Sequence, residues 1–168
     1  DARAPADALV GPRGRGRYTL LSSLDEERIL SAAIYVGITE AALDIAVQYA
    51  KDRKAFERPI GTYQAVQHPL AEVATELEQI RLLTQKAAWL LSQGRECSRE
   101  AAMAKLAATE TAIRATDRCM RVLGGFGLVE ESSLERLFRD ARLGPFSPIS
   151  NEMVKNFLGE RLGLPRSY

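Results

Sequence analysis

The sequence predicts an all-α protein: an up-and-down, four-helix-type bundle of long helices plus short helices, preceded by a short β/loop remnant. Apolar residues recur every three or four positions along three stretches of about 25–30 residues, the period of a helix with one buried face. Short connections punctuated by Gly and Pro separate those stretches, and long helices so joined pack antiparallel. At 1.5 Å per residue each would span about 40 Å. Residues 1–21 follow neither pattern. "APADALVGPRGRGRYTLL" is dense in Gly and Pro and ends in a short Tyr18–Leu21 run, which reads as loop and strand. The expected division is therefore a remnant of another, β-rich domain with its linker over 1–21, and a helical bundle over 22–168.

The first long helix opens at Ser23, where Ser23 and Glu26 have the spacing of a capping box and Asp25, Glu26 and Glu27 suit the positive end of a helix. Leu30, Ala33, Ile34, Gly37, Ala41, Ile45 and Tyr49 form the stripe that points to a core. "RKAFERPIGT" ends the pattern and Thr62 is placed to cap the second helix, whose Val66, Leu70, Val73, Leu77, Ile80, Ala87 and Leu90 point inward. Pro69 must sit in the first turn there or bend the helix. A third, Ala-rich helix runs from about Arg99 to Leu123, with Met103, Leu106, Ile113, Met120 and Val122 inward, and "GGFG" stops it. Ser132 and Glu135 form a second capping box, for a short helix to about Ala141, and a last helix covers about Asn151 to Arg161. Trp89, Tyr49 and the methionines read as core.

Bulk properties exclude several functions. The 168 residues carry 23 Lys+Arg against 22 Asp+Glu, interspersed, which argues against nucleic acid or an anionic membrane as partner. No apolar run is expected to cross a membrane and no secretory pattern is visible, so the expected location is cytoplasmic. Cys97 and Cys119 have no metal-ligand spacing and read as buried free thiols; His68 has no second ligand near it, so no metal is expected.

Four stretches, in order along the chain, resemble one family. "DEERILSAAIYVGITEAALDIAVQYAKDRKAFERPIGTYQAVQHPLAEVATELEQIR" is similar to the first two helices of the C-terminal domain of acyl-CoA dehydrogenases. "VLGGFG" and "RLFRDARL" resemble that domain's later motifs, and "VGPRGRG" resembles the last turn of the family's middle β domain. The resemblance implies a flavoenzyme that dehydrogenates an acyl-CoA thioester between its α and β carbons. A carboxylate takes the α proton, and FAD supplies the redox chemistry. It also implies a homodimer or homotetramer, with an electron-transfer flavoprotein as partner, and an isolated domain that is inactive and colourless.

The same resemblance locates the site residues. Most members carry the catalytic Glu after the Arg-Asp-Ala-Arg motif; in register it falls on Pro148, which cannot accept a proton. A minority resembling the isovaleryl-CoA and long-chain enzymes carry it on the first helix, directly before an Arg. Here Glu27 precedes Arg28, which stands nine residues before Gly37, so Glu27 is the candidate base. An acidic helix start would account for Glu26 and Glu27 by itself. Asp25 and Arg28 match positions lining the substrate pocket. Arg53, Phe56, Tyr63 and Gln64 match contacts to the cofactor of a neighbouring subunit, and Arg121, Gly124 and Gly125 match a stretch near its ADP part, with Arg121 where the family has Gln. Ser150, Asn151 and Glu152 match the stretch that closes over its phosphates and ribityl chain, although an N-cap and helix start would explain them equally. Two other readings stand beside this one: a non-catalytic partner subunit of the same fold, favoured by Pro148, and a helical interaction module.

Overall fold

The computed structural model describes residues 2–21 and 23–166; Asp1, Ser22, Ser167 and Tyr168, which bound the expected segments, lie outside them. Three long helices dominate: α2 (Leu24–Asp52), α3 (Gln64–Ser92) and α4 (Ser98–Leu123). Two short helices, α5 (Ser133–Ala141) and α6 (Asn151–Arg161), complete the bundle, and α1 (Gly16–Leu21) precedes it. α4 is the central element and touches α2, α3, α5 and α6.

That position explains the composition of α4. Ala101, Ala104, Ala108, Ala112 and Ala115 are all fully buried at helical spacing, because neighbours converge on this helix from several sides and only small side chains let their backbones approach. The larger Met103, Leu106, Ile113, Met120 and Val122, expected inward, sit half-buried on its flanks. The same inversion occurs on α2. Its buried stripe is Ile29, Ala32, Tyr35, Thr39, Ala42, Ala46 and Ala50, whereas Leu30, Ala33, Ile34 and Gly37 of the expected stripe are exposed. α2 is apolar almost all round, so periodicity alone could not say which face meets α4. α3 is more one-sided, and its expected stripe is inward: Leu70, Val73, Leu77, Ile80, Ala87 and Leu90 are all buried.

Other expectations are corrected. Residues 16–21 are helical, not strand: a strand needs a partner, and among the described residues the only sheet is the hairpin β1 (Lys54–Ala55) and β2 (Arg58–Pro59). Ser23 does not cap α2 through its side chain; its hydroxyl donates to Glu27 Oε1 at 3.2 Å. Thr62 donates to the Pro59 carbonyl at 2.8 Å instead of capping α3, which begins at Gln64 and places Pro69 in its second turn. The second capping serine is where expected, Ser132 Oγ accepting from the Leu134 N–H. Trp89 is 54% exposed, its ring faced by the Arg95 guanidinium, rather than core. Finally, α2 is long and apolar enough to cross a membrane by length and composition, with mean hydropathy 1.6 over its most apolar window. Half of that window is buried within the protein.

Candidate active site

A groove of about 700 Å³ runs along the exposed side of α2. Its floor is Glu27, Leu30, Ser31, Ile34, Tyr35 and Ile38, spaced three and four apart and therefore on one face of the helix. The opposite wall comes from α5 and the connection after it, including Asp140, Leu143, Ser147 and Pro148. Leu30 and Ile34 are 65% and 60% exposed here, so the apolar floor lacks a cover. Glu27, the candidate base, and Pro148, the residue at the family's usual base position, thus line one groove from two sides. Burial, reinforced by the Asp140 charge, holds the Tyr35 phenol above its usual range, so it stays neutral.

Asp25 and Arg28 lie elsewhere. They line a neighbouring cleft with Ser98, Ile149, Met153 and Phe157. Arg28 is buried, its Nη1 donating to Asp25 Oδ1 at 3.0 Å, and its guanidinium lies over the Phe157 ring at 5.2 Å. Asp25 also accepts from the Ser98 hydroxyl, which ties the start of α2 to the start of α4. Among the described residues the buried Arg28 Nε has no hydrogen-bond partner.

The residues expected near a flavin cofactor fall in two places: Arg53, Phe56, Tyr63, Gln64, Arg121, Gly124 and Gly125 lie at the end of the bundle where α2 and α4 finish and α3 begins, and Ser150 and Glu152 at the start of α6. Phe56 and Glu57 form the two-residue turn of the hairpin, with φ of 51° and 68°, and Phe56 is 91% exposed. A bulky residue in this left-handed region is strained, and a large ring left in water gains nothing from burial. Tyr63 braces the hairpin: its hydroxyl donates to the Ala55 carbonyl at 3.2 Å and Arg58 lies over its ring at 4.2 Å. Arg53 ends α2, its N–H on the Tyr49 carbonyl, and Gln64 opens α3; both side chains are exposed. Arg121 is exposed at the same end of the bundle, in a cleft with Ala65, Val66 and Pro69 of α3, and pairs with Asp117 at 2.9 Å. Gly124 needs to be glycine because its φ is 61°. Gly125 does not: a Cβ there would meet nothing within 4 Å, so the chain itself gives no steric reason for it. Ser150 caps α6, accepting from the Met153 N–H at 3.3 Å, and Glu152 is exposed one turn above the Ile149 wall. Exposed cations, a projecting aromatic ring and an unexplained bare glycine fit a large anionic, aromatic group brought from outside the chain.

Sequence reasoning missed Lys105. It is fully buried, and its ammonium donates to the Ile149 carbonyl at 2.6 Å and to Asn151 Oδ1 at 2.7 Å. Asn151 Nδ2 in turn donates to Thr109 Oγ1 at 3.1 Å, and the Thr109 hydroxyl donates to the Lys105 carbonyl at 2.9 Å. Burial pulls the lysine down to about 8, with Arg28 acting in the same direction and Glu152 and Glu110 opposing it. The signal was available: Lys105 follows Ala104 and stands between Ala101 and Ala108 in the small-residue stripe of α4. Asn151, expected with Ser150 and Glu152 near the cofactor, is instead buried between Lys105 and Thr109. Cys97 and Cys119 are buried free thiols as expected, and burial pushes Cys119 up to about 12. Among the described residues no cluster of potential metal ligands exists.

Comparison with known proteins defines the class. Residues 14–163 match the acyl-CoA dehydrogenase C-terminal domain, and the chain belongs to that family. The similar proteins include acyl-CoA dehydrogenase FadE12 of Mycobacterium tuberculosis, 45% identical over 100% of this chain and 44% of that protein. Bovine mitochondrial short-chain specific acyl-CoA dehydrogenase is 47% identical over 85% of this chain and 35% of its own length. Among solved structures, butyryl-CoA dehydrogenase from Megasphaera elsdenii superposes with a TM-score of 0.93 at 34% identity, covering 95% of this chain and 42% of that one. An FAD complex of PigA superposes at 0.88 with 28% identity, over 92% and 40%. The chain therefore spans less than half the length of the relatives it matches.

Proposed function

We propose that this chain is the C-terminal helical domain of an FAD-dependent acyl-CoA dehydrogenase and that Glu27 is its catalytic base. The observation that carries the reading is the shared groove: Glu27 and Pro148 line the same space from opposite sides, so a carboxylate on α2 can face the thioester that a carboxylate at position 148 would otherwise face. The apolar floor, exposed Leu30 and Ile34 with half-buried Ile38, suits an acyl chain, which would exclude water from Glu27 and favour its proton-accepting role at the weakly acidic α carbon. A helix gives that carboxylate a rigid mount. Tyr35, neutral and on the same floor, supplies a phenol next to the Glu27 face.

FAD, when bound, supplies the acceptor for the hydride leaving the β carbon. Arg53 would face its pyrophosphate and Phe56 would pack against it from a neighbouring subunit, with Tyr63 and Gln64 beside them. Arg121, Gly124 and Gly125 would lie near its adenosine end, and Ser150 and Glu152 at its phosphates and ribityl chain. Asp25 and Arg28 would border the substrate at the adjacent cleft. The proposal includes a homodimer or homotetramer, an electron-transfer flavoprotein as electron acceptor, and a cytoplasmic location. The isolated chain is expected to purify colourless and inactive.

The test is Glu27→Gln in the full-length flavoprotein, screened against acyl-CoA thioesters. Turnover should fall by at least about 10³-fold with the flavin spectrum unchanged. Equal turnover in both proteins removes Glu27 as base. Flavin bound with no turnover in either supports the second reading, a non-catalytic partner subunit, which Pro148 favours.

A further inference from the structure

We propose that Lys105, acting with Asn151 and Thr109, is a positioning residue that fixes the connection 142–150, and with it the Pro148 wall of the groove and the start of α6. Its functional meaning rests on the proposed acyl site, whereas the measurement below reads the connection itself.

The connection contains turns and bends only, and its two largest apolar side chains face out: Leu143 is 61% and Phe146 71% exposed, while Pro145 and Ile149 are half-buried. Backbone and polar contacts supply much of the rest of its hold. The Asn151 N–H closes the segment on itself through the Pro145 carbonyl at 2.8 Å. Gly144 lies so close to α2 and α4 that a Cβ would fall 2.8 Å from Tyr35 Cζ and 2.9 Å from Thr109 Cβ. The Lys105 ammonium then takes the Ile149 carbonyl and the Asn151 side chain together, one on each side of Ser150.

The choice of atom matters. Pro148 lines the Glu27 groove, while Ile149 lines the Asp25–Arg28 cleft. Holding the one carbonyl between residues 149 and 150 sets both walls at once. Both acceptors are neutral oxygens, and among the described residues no carboxylate touches the ammonium, so the burial of this charge is not an ion pair that stabilises the fold. A hydrophobic residue of the same length would fill the space but take the ammonium donor away from both acceptors, of which, among the described residues, only Asn151 Oδ1 has another donor near, the Thr109 hydroxyl at 3.3 Å. A buried charge kept under those terms is a device for specifying geometry.

The experiment is amide hydrogen exchange on the 168-residue chain, comparing wild type, Lys105→Met and Asn151→Ala. At pH 7 the amides of 146–153 should exchange at least tenfold faster in Lys105→Met, with the α3 amides of 73–90 changed less than twofold. Asn151→Ala, which keeps the ammonium and its bond to Ile149, should accelerate the same segment at least threefold and keeps the test valid should Lys105→Met not fold. A second readout separates positioning from simple packing. Between pH 7 and 9.5 the wild-type segment, corrected for intrinsic exchange, should become at least threefold better protected, because losing the proton relieves the burial of charge. Lys105→Met should show no such change. The charged groups facing Lys105 are Arg28 from α2, Glu110 on α4 and Glu152 on α6. Uniform acceleration of all helices, no acceleration of 146–153 in either variant, or an unchanged pH response in Lys105→Met would each overturn the assignment.

Discussion

The connection after α2 and the connection after α5 both carry residues expected at the cofactor, Phe56 in the first and Ser150 in the second, yet they are built in opposite ways. The first is a tight hairpin that projects its aromatic ring into water, on two consecutive non-glycine residues with positive φ. The second is pressed onto the bundle, closed by its own backbone, seated by Gly144 and held by a buried lysine. The hairpin spends conformational energy to present a side chain outward; the other connection spends desolvation energy to keep a wall in place. The difference suits a ring meant for another subunit and a wall meant for this one.

Gly144→Ala should break the comparison most severely. Its Cβ would meet side-chain atoms of Tyr35 and Thr109 inside ordinary contact distance, and relief requires the connection to lift from α4. A loss of about 1–3 kcal/mol in urea unfolding is expected. The pH dependence of stability comes next. Lys105 sits at about 8 in the folded chain against an ordinary 10.5, so between those values the unfolded chain binds a proton that the folded chain does not. Stability from this group therefore rises with pH across that window, and the wild type should gain about 1–3 kcal/mol relative to Lys105→Met between pH 7 and 10.5. The hairpin should respond weakly. Glu57→Gly should stabilise by about 0.5–1 kcal/mol, since glycine accepts the left-handed conformation without penalty. Phe56→Ala should leave stability within about 0.5 kcal/mol, because the ring is already in water, while lowering flavin retention in the full-length protein.

The long helices were legible because their period runs for many turns, and α3 because its apolar residues occupy one side. The faces of α2 and α4 were not, since both helices bury their smallest residues and leave larger ones at the flanks. Hydrophobicity ranks Leu30 and Ile34 above Ala32 and Ala46, but a crowded central contact selects for size. That reversal is also why the groove floor was mistaken for core. The candidate base was located through resemblance, not through periodicity, and its company with Pro148 emerged only from the fold. Lys105 was passed over because charge in an Ala-rich helix reads as surface; only the packing of α6 and its connection over that point makes it interior.

The placement of Glu27 is tested most directly by the crystal structure of the full-length flavoprotein with a non-reacting acyl-CoA analogue. A Glu27 carboxylate oxygen should stand about 3–3.5 Å from the α carbon, with Pro148 on the opposite wall. An analogue lying in the groove while the Glu27 oxygens turn to bulk water, or an acyl chain bound in some other cleft, would contradict it.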